Sequence, residues 1–222
     1  MKRLVVPTAA VLWSLACVGP EEEILERYLL ACQREDSPTV AALSMVAFPE
    51  DDVQSWNILE ISEVRSEPYA IPVLRETVGL VEAERDTQFT VFGEFRRENY
   101  ESLRRIQARL REEPDYHFSG RLGALQIEWD AFRIERRQVV AKLHEAEIAF
   151  ERAIRRVNKS LQRESSPEYL TGEMLLKNAR VRVTTELGDG HFDFTLTQYA
   201  LKNQFDALVP ARWIITAVEK TN

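Results

Sequence analysis

Apolar residues recur along this chain with two different periods, and the changes of period divide it. Ile24, Leu25, Tyr28, Leu29 and Cys32 fall three and four apart behind a first turn of Glu21, Glu22 and Glu23. That spacing, with acid at the positive end of the helix dipole, predicts a helix over 21–34. Asp36-Ser37-Pro38 then supplies a break and a fresh N-cap, with proline in the first turn. A second short helix, carrying Val40, Leu43, Met45, Val46 and Phe48, is expected to stop at Pro49. Trp56 to Val64 suits a strand, ended by Ser66-Glu67-Pro68.

From Tyr69 to Glu164 the texture is helical, with Arg and Glu abundant and Gly and Pro scarce. Leu122, Leu125, Trp129, Phe132, Arg136, Val139, Leu143, Ala146, Phe150, Ala153, Val157 and Ser160 alternate at three and four, the spacing of a coiled-coil seam. A second stripe runs through Ile71, Leu74, Val78, Val81, Arg85, Gln88, Phe92 and Phe95. It then slips by one residue to Asn99, Leu103, Ile106 and Leu110. Two helices of about 44 residues, each about 66 Å long, are expected to pair antiparallel over 69–164. Their tip would lie at Glu113-Pro114-Asp115 and Gly120. Arg85, Asn99 and Arg136 at the seam would reach solvent or fix the register.

After Ser165-Ser166-Pro167 the period becomes two. Residues 179–187 and 191–199 alternate on either side of Gly188-Asp189-Gly190, which predicts a hairpin, and Arg212–Glu219 reads as a last strand. The expected fold class is α+β: N-terminal helices packed on a curved antiparallel sheet, interrupted by a long antiparallel coiled-coil hairpin. Val181, Val183, Phe192, Phe194, Leu196, Trp213 and Ile215 can share one sheet face, with Tyr28, Leu29, Leu43 and Val46 covering it.

The first residues point to an address. Lys2-Arg3 precedes an apolar run from Leu4 to Ala16, about 20 Å of helix and too short for a hydrocarbon core of roughly 30 Å. A cleaved signal peptide over 1–16 fits better than a permanent span. Ser14-Leu15-Ala16-Cys17, followed by polar Gly19-Pro20-Glu21, resembles the lipobox of bacterial lipoproteins, with Ser14 standing where an aliphatic residue is usual. The resemblance implies that Cys17 becomes an acylated N-terminus whose lipid chains, palmitate among them, anchor the protein. The expected location is then the bacterial cell envelope. Val18, rather than Asp, favours the periplasmic face of an outer membrane where two membranes exist.

With 69–164 set aside, two short helices, one strand and three further strands remain, ending in Ala211-Arg212-Trp213-Ile214-Ile215. This order resembles the NTF2-like (cystatin-like) α+β domains found in bacterial lipoproteins. The resemblance implies a discontinuous domain over 17–68 and 165–222 with a helical insertion at 69–164. Such sheets can enclose a cavity, here with Trp56, Phe194 and Trp213 as lining candidates. The expected function is a non-enzymatic envelope lipoprotein of interaction or scaffolding type, with an envelope protein partner engaging the hairpin. The alternatives are a small-ligand binder or enzyme using a sheet-lined cavity, and a dimer joined through the hairpins.

Charge narrows the partners. The formal net charge is -7, and without residues 1–16 it becomes -9. That balance repels nucleic acid and anionic headgroups, so any membrane attachment would come from lipid rather than charge. The chemical inventory is sparse. His117, His144 and His191 lie far apart in sequence, and His144-Glu145 lacks the second histidine of a helical metal pair. No Gly-x-Ser-x-Gly motif or phosphate-cradling glycine loop occurs among the 8 glycines. Asp193, Tyr199 and His191 share an outward parity on their strand. Neither catalytic, metal nor cofactor residues are assigned. Cys32 reads as a small buried helical side chain, and with Cys17 acylated no disulfide follows.

Overall fold

Pro20 and three glutamates start α1 (Pro20–Gln33). Its Leu25, Tyr28 and Leu29 are fully buried, each contributing on the order of 1.5–3 kcal/mol of apolar transfer. The helix ends with Glu35 in the left-handed region, φ 54°, and Asp36 N–H on the Ala31 carbonyl at 2.9 Å. Asp36 then accepts from Thr39 N–H at 3.2 Å to cap α2 (Ser37–Leu43), so one residue closes one helix and opens the next. This structure, a computed structural model, describes residues 19–163 and 166–221. Cys17, the lipobox-like junction and the signal peptide lie outside the described residues.

The strands are β1 (Ser55–Ile61), β2 (Arg65–Pro68), β3 (Thr171–Thr185), β4 (Gly188–Lys202), β5 (Leu208–Val209) and β6 (Ile214–Thr221). They form one sheet in the order β1-β3-β4-β5, with β2 also on β3 and β6 also on β4. β1 and β2 pair antiparallel with β3, and β5 and β6 pair antiparallel with β4. Trp56 opposes Val183, Arg65 opposes Leu176 and Phe194 opposes Val218. Between the strands lie α3 (Ile71–Glu98), α4 (Tyr100–Glu112) and α5 (Gly120–Leu161), followed by a 3-10 turn at Pro167–Tyr169.

The chain divides into two compact units. The first holds the described residues up to Glu63, Lys177–Thr197 and the chain from Trp213 onward. Its core gathers Leu25, Tyr28, Leu29, Leu43, Val181, Val183, Phe192, Phe194, Leu196, Ile214 and Ile215, all essentially without exposed surface. Tyr28 meets Phe194 edge-on at 6.1 Å, and Phe48 lies 4.8 Å from Phe192. The second unit is Val64–Leu176 with Gln198–Arg212. One core cluster there joins Ile71, Val157, Leu161, Leu170, Tyr199 and Leu201, and another joins Phe95, Leu103, Ile106 and Leu125.

Several expectations are corrected. The antiparallel coiled-coil hairpin of two equal helices is not found. Residues 120–161 form a single continuous helix of 42 residues, whereas the preceding stretch is split into 28 and 13 residues at Asn99. The split falls at Asn99, which caps the first of these helices by donating both its backbone N–H, at 3.1 Å, and its side-chain amide, at 3.0 Å, to the Phe95 carbonyl. A coiled coil also needs an unbroken buried seam. Here Arg136 is exposed and Leu74, Val78 and Phe92 are only half-buried.

The NTF2-like assignment falls as well, because the sheet is open and uncurled rather than wrapped around a pocket. With it falls the functional reading built on that domain and a protruding hairpin, including its alternative of a cavity enclosed by the sheet. What stands is an α+β chain with five helices and a six-stranded sheet among the described residues.

Smaller differences have local causes. The second helix ends at Leu43 rather than Pro49, because Ser44 pairs with Ile215 and Met45 N–H donates to the Ile215 carbonyl at 2.8 Å. The turn between β3 and β4 precedes the glycines: Gly188 already begins the strand, with φ 116°. Thr185 makes that turn with its hydroxyl, which donates to the Gly188 carbonyl at 3.2 Å and accepts from Leu187 N–H at 3.3 Å.

Candidate functional site

The residues singled out as pocket lining are placed as follows. Phe194 has no exposed surface and Trp213 is 4% exposed, both within the packed core of the first unit. Trp56 is half-buried on β1. Lys177 stands 5.7 Å from the Trp213 ring and pairs with Glu21 at 2.7 Å. Cys17 lies outside the described residues.

Of the residues given outward parity, His191 is exposed and Asp193 half-buried, but Tyr199 is buried. The reason is a change of buried parity along β4: Phe192, Phe194 and Leu196 are buried, then Thr197, Tyr199 and Leu201. β3 changes likewise, from Leu176 to Ala179, Val181 and Val183.

Four concave surfaces carry polar chemistry. On the first unit, Glu60, Ser62, Asn178, Arg180, Asp193, Thr195 and Glu219 line a groove of about 400 Å³. Arg180 donates to Asp193 at 2.9 Å, and Thr221 adds a hydroxyl at 3.0 Å. The Arg180 bond, reinforced by the Thr221 hydroxyl, holds the Asp193 carboxyl below the ordinary aspartate range. Arg180 and Asp193 satisfy one another, and Glu60 and Glu219 leave the groove with an excess of carboxylate.

On the second unit, Arg96, Tyr100, Arg104, Arg111 and Trp129 border a cavity of about 470 Å³ whose lining contains no acidic side chain. Farther along α5, Arg133, Arg136, Arg137, Val140 and His144 border another of about 540 Å³. The Arg136 guanidinium lies over Phe89 at 4.6 Å and Phe92 at 5.3 Å, so the charged group itself covers aromatic surface.

The fourth surface is the smallest of these. Tyr69, Ile71, Leu74, Ala153, Met174 and Tyr199, with Arg152 and Arg156, border a cavity of about 290 Å³. Tyr69 donates to the Pro167 carbonyl at 2.7 Å, and its ring meets Tyr199 edge-on at 6.1 Å. Burial raises the pKa of both phenols; at Tyr199 the neighbouring Arg156 opposes that shift. The Arg156 Nε atom is buried without a hydrogen-bond partner. Pattern reading passed over these arginines because Ala153 and Val157 beside them fit the apolar stripe. The available signal was two like charges four residues apart on one helix face.

Among the described residues, no group of three or more His, Cys, Asp or Glu side chains has metal-binding geometry, and no helix is long and apolar enough to cross a membrane. Half-burial pushes the Cys32 thiol up to about 11. In comparisons with known proteins, no family model, no curated protein and no solved structure matches this chain.

Proposed function

We propose that this chain is an exported protein held at a bacterial envelope membrane by lipid on Cys17, and that it binds another envelope protein through the helices of its second unit. One observation carries the reading: a basic start, an apolar run too short to span a bilayer, and Ala16-Cys17 at an abrupt change to polar sequence. Val18 favours the outer membrane in a two-membrane cell.

Charge supports the choice of partner surface. In a chain of net charge -7, the arginines around Trp129 and along α5 are local reversals of sign. Ile127, Ile134 and Val140 are exposed on the same helix. A partner segment mixing carboxylates with apolar side chains complements such a surface.

The deciding experiment is intact mass of the protein extracted from membranes. An acylated polypeptide beginning at Cys17 is expected, and Cys17→Ser should release the protein into the soluble fraction. A native chain that starts at Met1 and stays in the aqueous phase of a detergent separation overturns the proposal.

A further inference from the structure

We propose that the cavity beside Arg156 binds a small organic carboxylate with an apolar tail. The inference is independent of Cys17 and of any protein partner.

The argument begins with a missing negative charge. Arg152 and Arg156 stand four residues apart on α5, a spacing at which like charges repel. Neither forms an ion pair among the described residues, and no carboxylate lines the cavity they border. Arg156 also has an Nε atom shut away from solvent with nothing to donate to. A buried donor left unsatisfied costs about 1–3 kcal/mol, more when it carries charge, so native structures rarely leave one without a role. Lys159, less than one turn farther on, is pulled below the ordinary lysine range by burial and by Arg212.

The remaining walls define the rest of the ligand. Ile71, Leu74, Ala153, Val157 and Met174 are apolar, and the Tyr69 hydroxyl is already engaged by Pro167. A bare inorganic anion would leave that apolar surface facing water, and an uncharged hydrocarbon would leave the Arg156 Nε without an acceptor, since the Tyr199 hydroxyl engages only another part of that guanidinium. Guanidinium groups pair with carboxylates through two parallel hydrogen bonds. A volume of about 290 Å³ lies at the lower end of the small-molecule range, which limits the tail to a few carbons. Most of the lining comes from α3 and α5, so the site owes nothing to an enclosed sheet.

Calorimetric titration of the full chain with hexanoate tests the assignment, with hexanol as the uncharged match and inorganic phosphate as an anion without a tail. Hexanoate should bind, while hexanol and phosphate should each bind at least about tenfold more weakly. Arg156→Met should weaken hexanoate by about tenfold or more, since a charged hydrogen bond is lost. Arg152→Gln, at an exposed position that spares the fold, should weaken it in the same direction. Ala153→Leu should block binding by filling the cavity. Equal binding of hexanol and hexanoate, phosphate binding as strong as hexanoate, or wild-type affinity in both arginine variants would overturn the proposal. So would no detectable binding of hexanoate to the unmodified chain.

Discussion

The two units of this protein are built to different densities. In the first, α1, α2 and the strands bring eleven apolar side chains to essentially zero exposure, and aromatic residues meet there from separate elements. In the second, the long α5 packs with α3 and α4 through intermittent clusters. Between them Leu80, Val91, Ile127, Ile134 and Val140 remain exposed. Ion pairs fill some of the gaps, as between Lys142 and Glu84 or Arg75 and Glu168, but all are substantially exposed and each is worth about 0–1 kcal/mol. A sheet with one covered face forces period-two residues into a single layer, whereas long helices can hold together through a few well-chosen contacts. The second unit accordingly leaves room for the concave surfaces bordered by α3, α4 and α5.

Substitutions can break this comparison. Phe194→Ala in the first unit should cost about 3–5 kcal/mol of stability, measured by urea unfolding, because Phe194 is wholly buried against Tyr28 and Phe48. A loss below about 1 kcal/mol would mean that this core is not close-packed.

Cys32 gives a second measure of the same region. Its thiol is raised from 9.0 to about 11 because burial disfavours the thiolate. A group with a raised folded pKa stabilises fully below its unfolded value, so this contribution is present below pH 9 and is lost as pH rises through about 11. In a Cys17→Ser chain, reaction with a disulfide reagent near pH 8 should run about a hundredfold slower than in urea, as the thiolate population falls. Equal rates in both conditions would contradict the burial of this helix face.

Phe92→Ala in the second unit should cost less, about 1–2 kcal/mol, because the ring is half-exposed although it stacks on Trp129 at 5.0 Å. Amide exchange should speed up in α3 and α4 while the core strands stay protected. A loss as large as that of Phe194→Ala would erase the contrast between the units.

Much of the local structure was legible in the residues themselves. Glu21–Glu23 with the Ile24-to-Cys32 stripe marks α1, Asp36 marks a cap, and the alternation around Gly188 marks two strands, because each signal acts within one turn or one strand. The errors arose where a short-range pattern was extended over long distances. The one-residue slip at Asn99 was visible in the stripe, but a helix break depends on where the asparagine amide finds an acceptor. β2 went unread because Arg65–Pro68 has no apolar alternation, and its pairing with β3 lies over a hundred residues away along the chain. The cavity at Arg156 left only a faint trace, a like-charge pair beside an apolar stripe.

The sequence by itself determined most of the element types and the acidic balance, since these rest on composition and on neighbours a few residues apart. Tertiary structure alone decided that the sheet stays open, that the helical stretch before α5 is divided at Asn99, and that Tyr199 turns inward where parity placed it outside. Each of these depends on which surfaces meet after the chain has returned on itself. Burial and hydrogen bonding between distant residues then override local preference, because the free energy of covering an apolar face exceeds that of any single propensity.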